Sequence, residues 1–202
     1  MTILILVALA LVASLETVRD QVARTGAPGP AAARVIVETD LGAFEIEVDP
    51  RAPITASNFL KYVDAGLYDG GRFHRTVRPD NQQDKPVRID VIQGAPDRTR
   101  ASEYPPAIPL ERTNATGIVH KDGTLSMARV SGQPDSGRGE FFICIGDQPS
   151  LDFAGARNPD GQGFAAFGRV VRGMDVVRKI QLAPAEGERL TPAVVIVRAR
   201  RR

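Results

Sequence analysis

Short runs in which apolar and charged residues alternate, separated by turn residues, constrain this chain more than any other feature, because they favour strands that bury one face. From Arg34 onward Phe44, Ile46 and Val48 alternate with Glu45, Glu47 and Asp49, the period of two that marks a half-buried strand. Val35-Ile36-Val37 precedes it across Asp40-Leu41-Gly42, whose turn chemistry predicts an antiparallel hairpin. Alternation resumes from Phe73 to Val77, and again where Val87, Ile89 and Val91 interleave with Arg88 and Asp90. Apolar runs at Leu125 to Ala128, Phe141 to Cys144, Phe164 to Val171 and Val194 to Val197 add further strands. Two segments change to helical spacing. The first starts at Pro53 and Thr55, carries Ala56, Phe59, Leu60 and Val63, and stops at Gly66; the second lies near Met174 to Ile180. A mainly β chain of about eight strands and two short helices is expected to close into an antiparallel β-barrel, since closure removes exposed edges.

At 202 residues and 43% hydrophobic composition the chain fits one core, placed at residues 34–202. Residues 1–33 form an apolar N-terminal segment and a linker. Thr2 to Ala13 is almost wholly apolar, too short to span a bilayer comfortably and of the length of a signal-peptide core; Gly26, Pro28, Gly29 and Pro30 then break any helix. The expectation is export, to the periplasm, with a cleaved signal or at most a weak N-terminal membrane attachment; a cytoplasmic protein with an uncleaved helix is the alternative. A formal charge of +2 is too small for a phosphate-tracking surface, so nucleic acid is not expected as a partner. Arg198, Arg200, Arg201 and Arg202 read as a frayed, solvated tail. Cys144 is the lone cysteine, and His74 and His120 are the only histidines, so no metal site is expected, and no cofactor. With two histidines and no nucleophile elbow, a serine or cysteine hydrolase has no support.

The segment Phe73-His74-Arg75 makes an unusual demand, because strict alternation places Arg75 on the pleat face of Phe73 and Val77. A guanidinium on an apolar face is costly unless it has a partner or opens on a cleft. Read alone, Arg75 is equally an arginine at the rim that snorkels to solvent.

Over Arg34 to Arg198 the sequence resembles the cyclophilin family, and its segments occur in family order: Ala52-Pro53-Ile54-Thr55 through Asn58-Phe59, Gly66-Leu67-Tyr68-Asp69-Gly70, Phe73-His74-Arg75, Gln93-Gly94, Gly123-Thr124-Leu125-Ser126-Met127-Ala128, Glu140-Phe141-Phe142-Ile143 and Phe167-Gly168-Arg169-Val170. The resemblance implies a cyclophilin-like barrel and a peptidyl-prolyl cis/trans isomerase that assists protein folding, with Arg75 as catalytic group. It implies that Gln93 holds the substrate carbonyl, that Val91, Phe142, Leu151 and Phe164 receive the proline ring, and that Ala128 and Arg129 present backbone to the peptide. His74 would be a hydrogen-bonded structural neighbour of Arg75 at the substrate site. The partners implied are proline-containing peptides and unfolded or partly folded proteins, with the chain a monomer.

Several positions depart from the family pattern. Asp90 stands where the family places an aromatic wall, Glu140 where glutamine is common, Ser150 where tryptophan is frequent, and Phe164 where histidine is frequent. Extra polar residues at Arg78 to Arg88 and an enlarged loop at Phe153 to Gln162 flank the same region. The alternative to an isomerase is therefore a proline-peptide binding or chaperone module on the same fold.

Overall fold

The computed structural model describes residues 32–202 with the exception of Asp84, so the apolar N-terminal segment lies outside the described residues. The chain runs β1 (Arg34–Thr39), β2 (Gly42–Val48), α1 (Pro53–Asp64), β3 (Arg72–Val77), β4 (Val91–Ala95), α2 (Thr113–Thr116), β5 (Thr124–Met127), β6 (Phe141–Cys144), β7 (Ala165–Arg172), α3 (Met174–Gln181), β8 (Ala185–Glu186) and β9 (Arg189–Arg201). Strands neighbour one another in the order β1-β2-β7-β5-β6-β4-β3-β9, and β9 pairs with β1, which closes an eight-stranded antiparallel barrel; β8 is a short hairpin arm on β9.

The opening hairpin forms as its sequence directs. Thr39 Oγ1 donates to the Gly42 carbonyl and accepts from Leu41 N–H, while Gly42 takes φ +131°, open to a residue without Cβ. α1 begins with Pro53, and the carboxylate of Glu111 accepts from the Ile54 and Thr55 N–H groups, so an acidic residue far along the chain meets the orphan donors and the positive helix end. α1 packs against β7 and β9, and α3 against β2, β3 and β4.

Alternation sorts the strand residues into two apolar clusters. On β6, Phe141 and Ile143 enter the large core, and Phe142 and Cys144 join a smaller cluster on the other face. Ile92 of β4 goes in and Val91 goes out by the same rule. In the large core Phe59 meets Tyr68, Phe141 and Phe167 at ring-centroid distances of 5.3, 5.7 and 5.3 Å. Phe73 and Phe141 meet edge to face at 5.8 Å beside Gly94, where a Cβ would lie 3.0 Å from the Phe73 ring.

Five sequence expectations are corrected. The run Val87 to Asp90 is not strand, because the Gln82 side chain takes the Ile89 N–H and carbonyl that a neighbouring strand would need. β7 starts at Ala165, after Phe164, and runs on to Arg172. β9 spans Arg189–Arg201, far longer than Val194 to Val197, and the basic terminus is not frayed: it pairs with β1, and Arg200, Arg201 and Arg202 bridge Glu38, Asp64 and Glu45. α2, a single turn, adds to the two helices expected.

Phe59 is fully buried, so Phe59→Ala removes the ring on which three core aromatics converge. The substitution is expected to cost about 3–5 kcal/mol in urea unfolding, the range for a large-to-small change in a packed core. A cost under about 1 kcal/mol would mean that this cluster does not organise the barrel.

Candidate active site

β3 carries one residue too many for its partner β4. Pairing with β4 runs Phe73↔Gly94 and then Arg75↔Gln93, so His74 is the extra residue of a bulge; against β9 the register runs Phe73↔Val194 and then Arg75↔Arg189, where the surplus residues lie on β9. The consequence is a change of face: Phe73 belongs to the inner core and Val77 to the outer cluster. Arg75 thus shares a face with Val77 and not with Phe73, which corrects the simple alternation. The cost of a guanidinium among apolar groups is met at the outer surface, where about a third of the Arg75 side chain is exposed.

Register then sets the site out in rows. Arg75 lies opposite Gln93, Gln93 opposite Phe142, and Phe142 opposite Ser126, so four neighbouring strands contribute one residue each. The next row is Val77, Val91 and Cys144. Val77, Ile89, Val91, Phe142, Cys144 and Leu151 form the outer apolar cluster, with Ala128 and Phe164 against it. Val91, Phe142, Leu151, Phe164 and Ala128 therefore come together beside Arg75 and Gln93.

Polar contacts fix the upper row. Arg75 Nη1 donates to Gln93 Oε1 at 3.0 Å, while Nε donates to Glu188 Oε2 at 2.8 Å and Nη2 donates to the same oxygen. Gln93 Nε2 donates to Glu140 Oε2 at 2.9 Å, and Arg98 donates to the other oxygen of Glu140 at 3.4 Å. The glutamate at position 140 thus orients the Gln93 amide and leaves one of its two N–H groups over. A cleft of 960 Å³ lies on the side of His74, Arg75 and Glu188, and one of 330 Å³ lies beside Gln93, Ala128 and Glu140.

Two further residues expected at the site differ in kind. His74 is half-buried, with Nδ1 sequestered and without a hydrogen-bond partner. Burial holds its imidazole below the ordinary value, and the Glu140 charge opposes that shift. Arg129 has a side chain only 1% exposed, clamped to Asp160 by two bonds of 2.8 Å and to the Gly163 carbonyl at 2.9 Å. What it offers outward is backbone. Its guanidinium lies 5.2 Å from the centroid of Phe164, which in turn meets Phe142 edge to face at 5.3 Å.

Asp90 does not join the outer apolar cluster, and Ile89 does. Asp90 turns to α3 and accepts a hydrogen bond from Gln181, and burial raises its carboxyl above the usual range. Ile89, of the same parity as Val91, enters the outer cluster instead. Arg157 of the second loop bridges Gln82 Oε1 and the Val87 carbonyl of the first, at 3.0 and 2.6 Å. Ile89 could have been found from its parity. Arg157 and Glu188 carry no local signal, because only the packing of loops and hairpin brings them here.

Beneath Phe142 lies a chain with the order of a hydrolase triad. His120 contacts Asp152 through Nδ1 at 2.7 Å and Ser126 through Nε2 at 2.9 Å, and its ring stacks on Phe142 at 6.0 Å. Ser126 and His120 are sealed from solvent, so the chain supports the apolar floor and offers no accessible nucleophile. The Cys144 thiol is likewise buried, with its pKa pushed up by desolvation.

The family model described as cyclophilin type peptidyl-prolyl cis-trans isomerase/CLD matches residues 34–201. The chain belongs to the cyclophilin family. As a cyclophilin it is 40% identical over 151 residues to a peptidyl-prolyl cis-trans isomerase of Acinetobacter baylyi, covering 74% of this chain and 72% of that one. It is 34% identical over 133 residues to peptidyl-prolyl cis-trans isomerase B of Escherichia coli, covering 66% and 74%. A solved cyclophilin-type isomerase of Cryptosporidium parvum overlays with TM-score 0.66 at 19% identity, covering 85% of this chain and 98% of that one, which shows the common fold.

The Arg129 clamp predicts a loop whose order is lost in acid. Hydrogen bonding from Arg129 holds the Asp160 carboxyl down at about 2, below its ordinary 3.8. A depressed folded-state value means that the contribution of the pair is complete above about pH 4 and is lost as pH falls through about 2. Hydrogen-exchange protection of residues 153–163 is expected to hold from pH 7 to about 5 and to drop between about 4 and 2. Asp160→Asn is expected to lower it already at pH 7; unchanged protection in both experiments would show that the clamp does not order the loop.

Proposed function

We propose that this cyclophilin, a peptidyl-prolyl cis/trans isomerase, turns X-Pro bonds of unfolded or partly folded proteins with Arg75 as the catalytic group. The observation that carries the assignment is the cross-strand row that sets Arg75 and Gln93 against an outer apolar cluster. Val91, Phe142, Leu151 and Phe164, with Ile89, receive the proline ring. Gln93 donates its remaining N–H to the carbonyl oxygen before the proline, and backbone at Ala128 and Arg129 aligns the peptide. His74 lines the adjoining cleft and has no proton to transfer in this reaction.

Rotation about a peptide bond faces a barrier of roughly 18–20 kcal/mol because resonance is lost in the twisted state. In that state the lone pair localises on the prolyl nitrogen, which becomes an acceptor. A guanidinium N–H aimed at it binds the twisted amide better than the planar one, and only such a difference raises the rate. The apolar floor holds the ring still while the amide twists, and Gln93 receives the preceding carbonyl oxygen as it turns. Each tenfold in rate takes about 1.4 kcal/mol, so one charged hydrogen bond supplies part of the acceleration and the immobilised ring the rest.

Arg75→Ala is expected to lower kcat/KM on a short X-Pro peptide about 10²–10³-fold, the usual loss when one transition-state donor is removed, with the fold intact. Arg75→Lys is expected to rescue poorly, since the fork of donors is gone. Activity within about threefold of the parent in Arg75→Ala would place the catalytic group elsewhere and favour a binding module.

The apolar Thr2 to Ala13 segment supports export to the periplasm, with the barrel working on clients outside the cytoplasm. N-terminal sequencing of the protein isolated from its native cell is expected to find a mature start beyond Ala13. A soluble cytoplasmic protein beginning at Met1 would overturn that proposal.

A further inference from the structure

Glu188 sits where no strand pattern would place a functional residue, at the turn between β8 and β9. That turn is built into the site. The Glu188 carbonyl accepts from Thr76 N–H at 2.9 Å, beside Arg75 on β3, and the Gly187 carbonyl accepts from Asn81 Nδ2 at 2.9 Å. Asn81 also donates to the Thr76 carbonyl at 3.0 Å, which ties the turn to the first enlarged loop. The hairpin tip is therefore held by main-chain and amide bonds that do not involve the Glu188 carboxylate.

That carboxylate takes the Nε and Nη2 donors of Arg75, and Gln93 takes one from Nη1. Of the five guanidinium N–H groups, three are used and two are left at the terminal nitrogens. A second guanidinium stands near: Arg157 feels the repulsion of Arg75 and the attraction of Glu188. With the carboxylate removed, Arg75 loses two of its three anchors and faces a like charge that nothing opposes. A long arginine side chain so released samples many rotamers, and orientation is what the reaction needs from it.

We propose that Glu188 is a positioning residue of the isomerase: it fixes the Arg75 guanidinium so that its two remaining N–H groups face the prolyl amide. This rests on Arg75 being the catalytic group. The Glu188 carboxylate acts on the Arg75 guanidinium and is not a member of the apolar cluster that takes the ring, so its effect falls on turnover and not on peptide affinity.

The test compares the full-length parent with Glu188→Ala, Glu188→Gln, Arg75→Ala and the Glu188→Ala/Arg75→Ala double variant, on one X-Pro peptide at one salt concentration, with the melting temperature of each as a control. Glu188→Ala is expected to lower kcat about tenfold with KM within about threefold of the parent. Glu188→Gln keeps an acceptor oxygen for the fork and is expected to recover most of that loss. In the Arg75→Ala background, Glu188→Ala is expected to change the rate less than about twofold, because its action runs through the missing guanidinium. A slow Arg75→Ala together with an unimpaired Glu188→Ala would overturn the proposal and leave Arg75 in its role. Equal losses from Glu188→Ala in both backgrounds, or a glutamine no better than alanine, would overturn it too. An unimpaired Arg75→Ala would instead remove the reading on which it rests.

Discussion

The bulge at His74 is the constraint on which the site depends. A strand that packs Phe73 into a barrel must, by the period of two, also turn residue 75 inward, where a guanidinium has neither room nor partner. One extra residue reverses the parity, so Phe73 still meets Phe44 and Phe141 inside while Arg75 emerges beside Gln93. The same closed sheet then does the rest. Its register fixes Gln93, Phe142 and Ser126 as successive neighbours of Arg75, and rigid strands place side chains more closely than loops can.

Around this fixed row the chain has built a ring of polar ties in which charged groups hold apolar ones. Arg129 is buried against Asp160 and supports Phe164; His120 joins Asp152 to Ser126 under Phe142; Arg157 joins the two enlarged loops and keeps Ile89 in the outer cluster. The first and third ties draw on the enlarged loop at Phe153 to Gln162, which carries Asp160 and Arg157, and the second on Asp152 just before it. Around them Asp90 turns to α3 while Ile89 joins the outer cluster, and the loop that carries Asp160 also carries Arg157.

Much of this was legible in the sequence, for physical reasons that differ from element to element. β2 obeys a two-residue period because one face lies in the core, while β6 reads as a continuous apolar run because both of its faces are buried, one in each cluster. α1 declares itself by Pro53 and its apolar stripe. The bulge is invisible, since one inserted residue leaves the composition of β3 unchanged and alters only its pairing. The basic terminus misleads because arginines on an exposed face read as a tail, and only pairing with β1 and three carboxylates shows them ordered. Val87 to Asp90 alternates like a strand, yet the Gln82 amide satisfies Ile89 first. Glu188 and Arg157 reach the site by packing alone, across separations of 113 residues from Arg75 and 75 from Gln82 that no local pattern spans.

The most direct measurement is a crystal structure of the protein with a short Ala-Pro peptide bound. The proline ring should rest on Phe142, Leu151, Phe164 and Ile89, with a Gln93 N–H on the preceding carbonyl oxygen and an Arg75 N–H within hydrogen-bonding reach of the prolyl nitrogen. A proline ring seated elsewhere, or one in the cluster with Arg75 directed away from its nitrogen, would contradict the assignment of catalysis to this row.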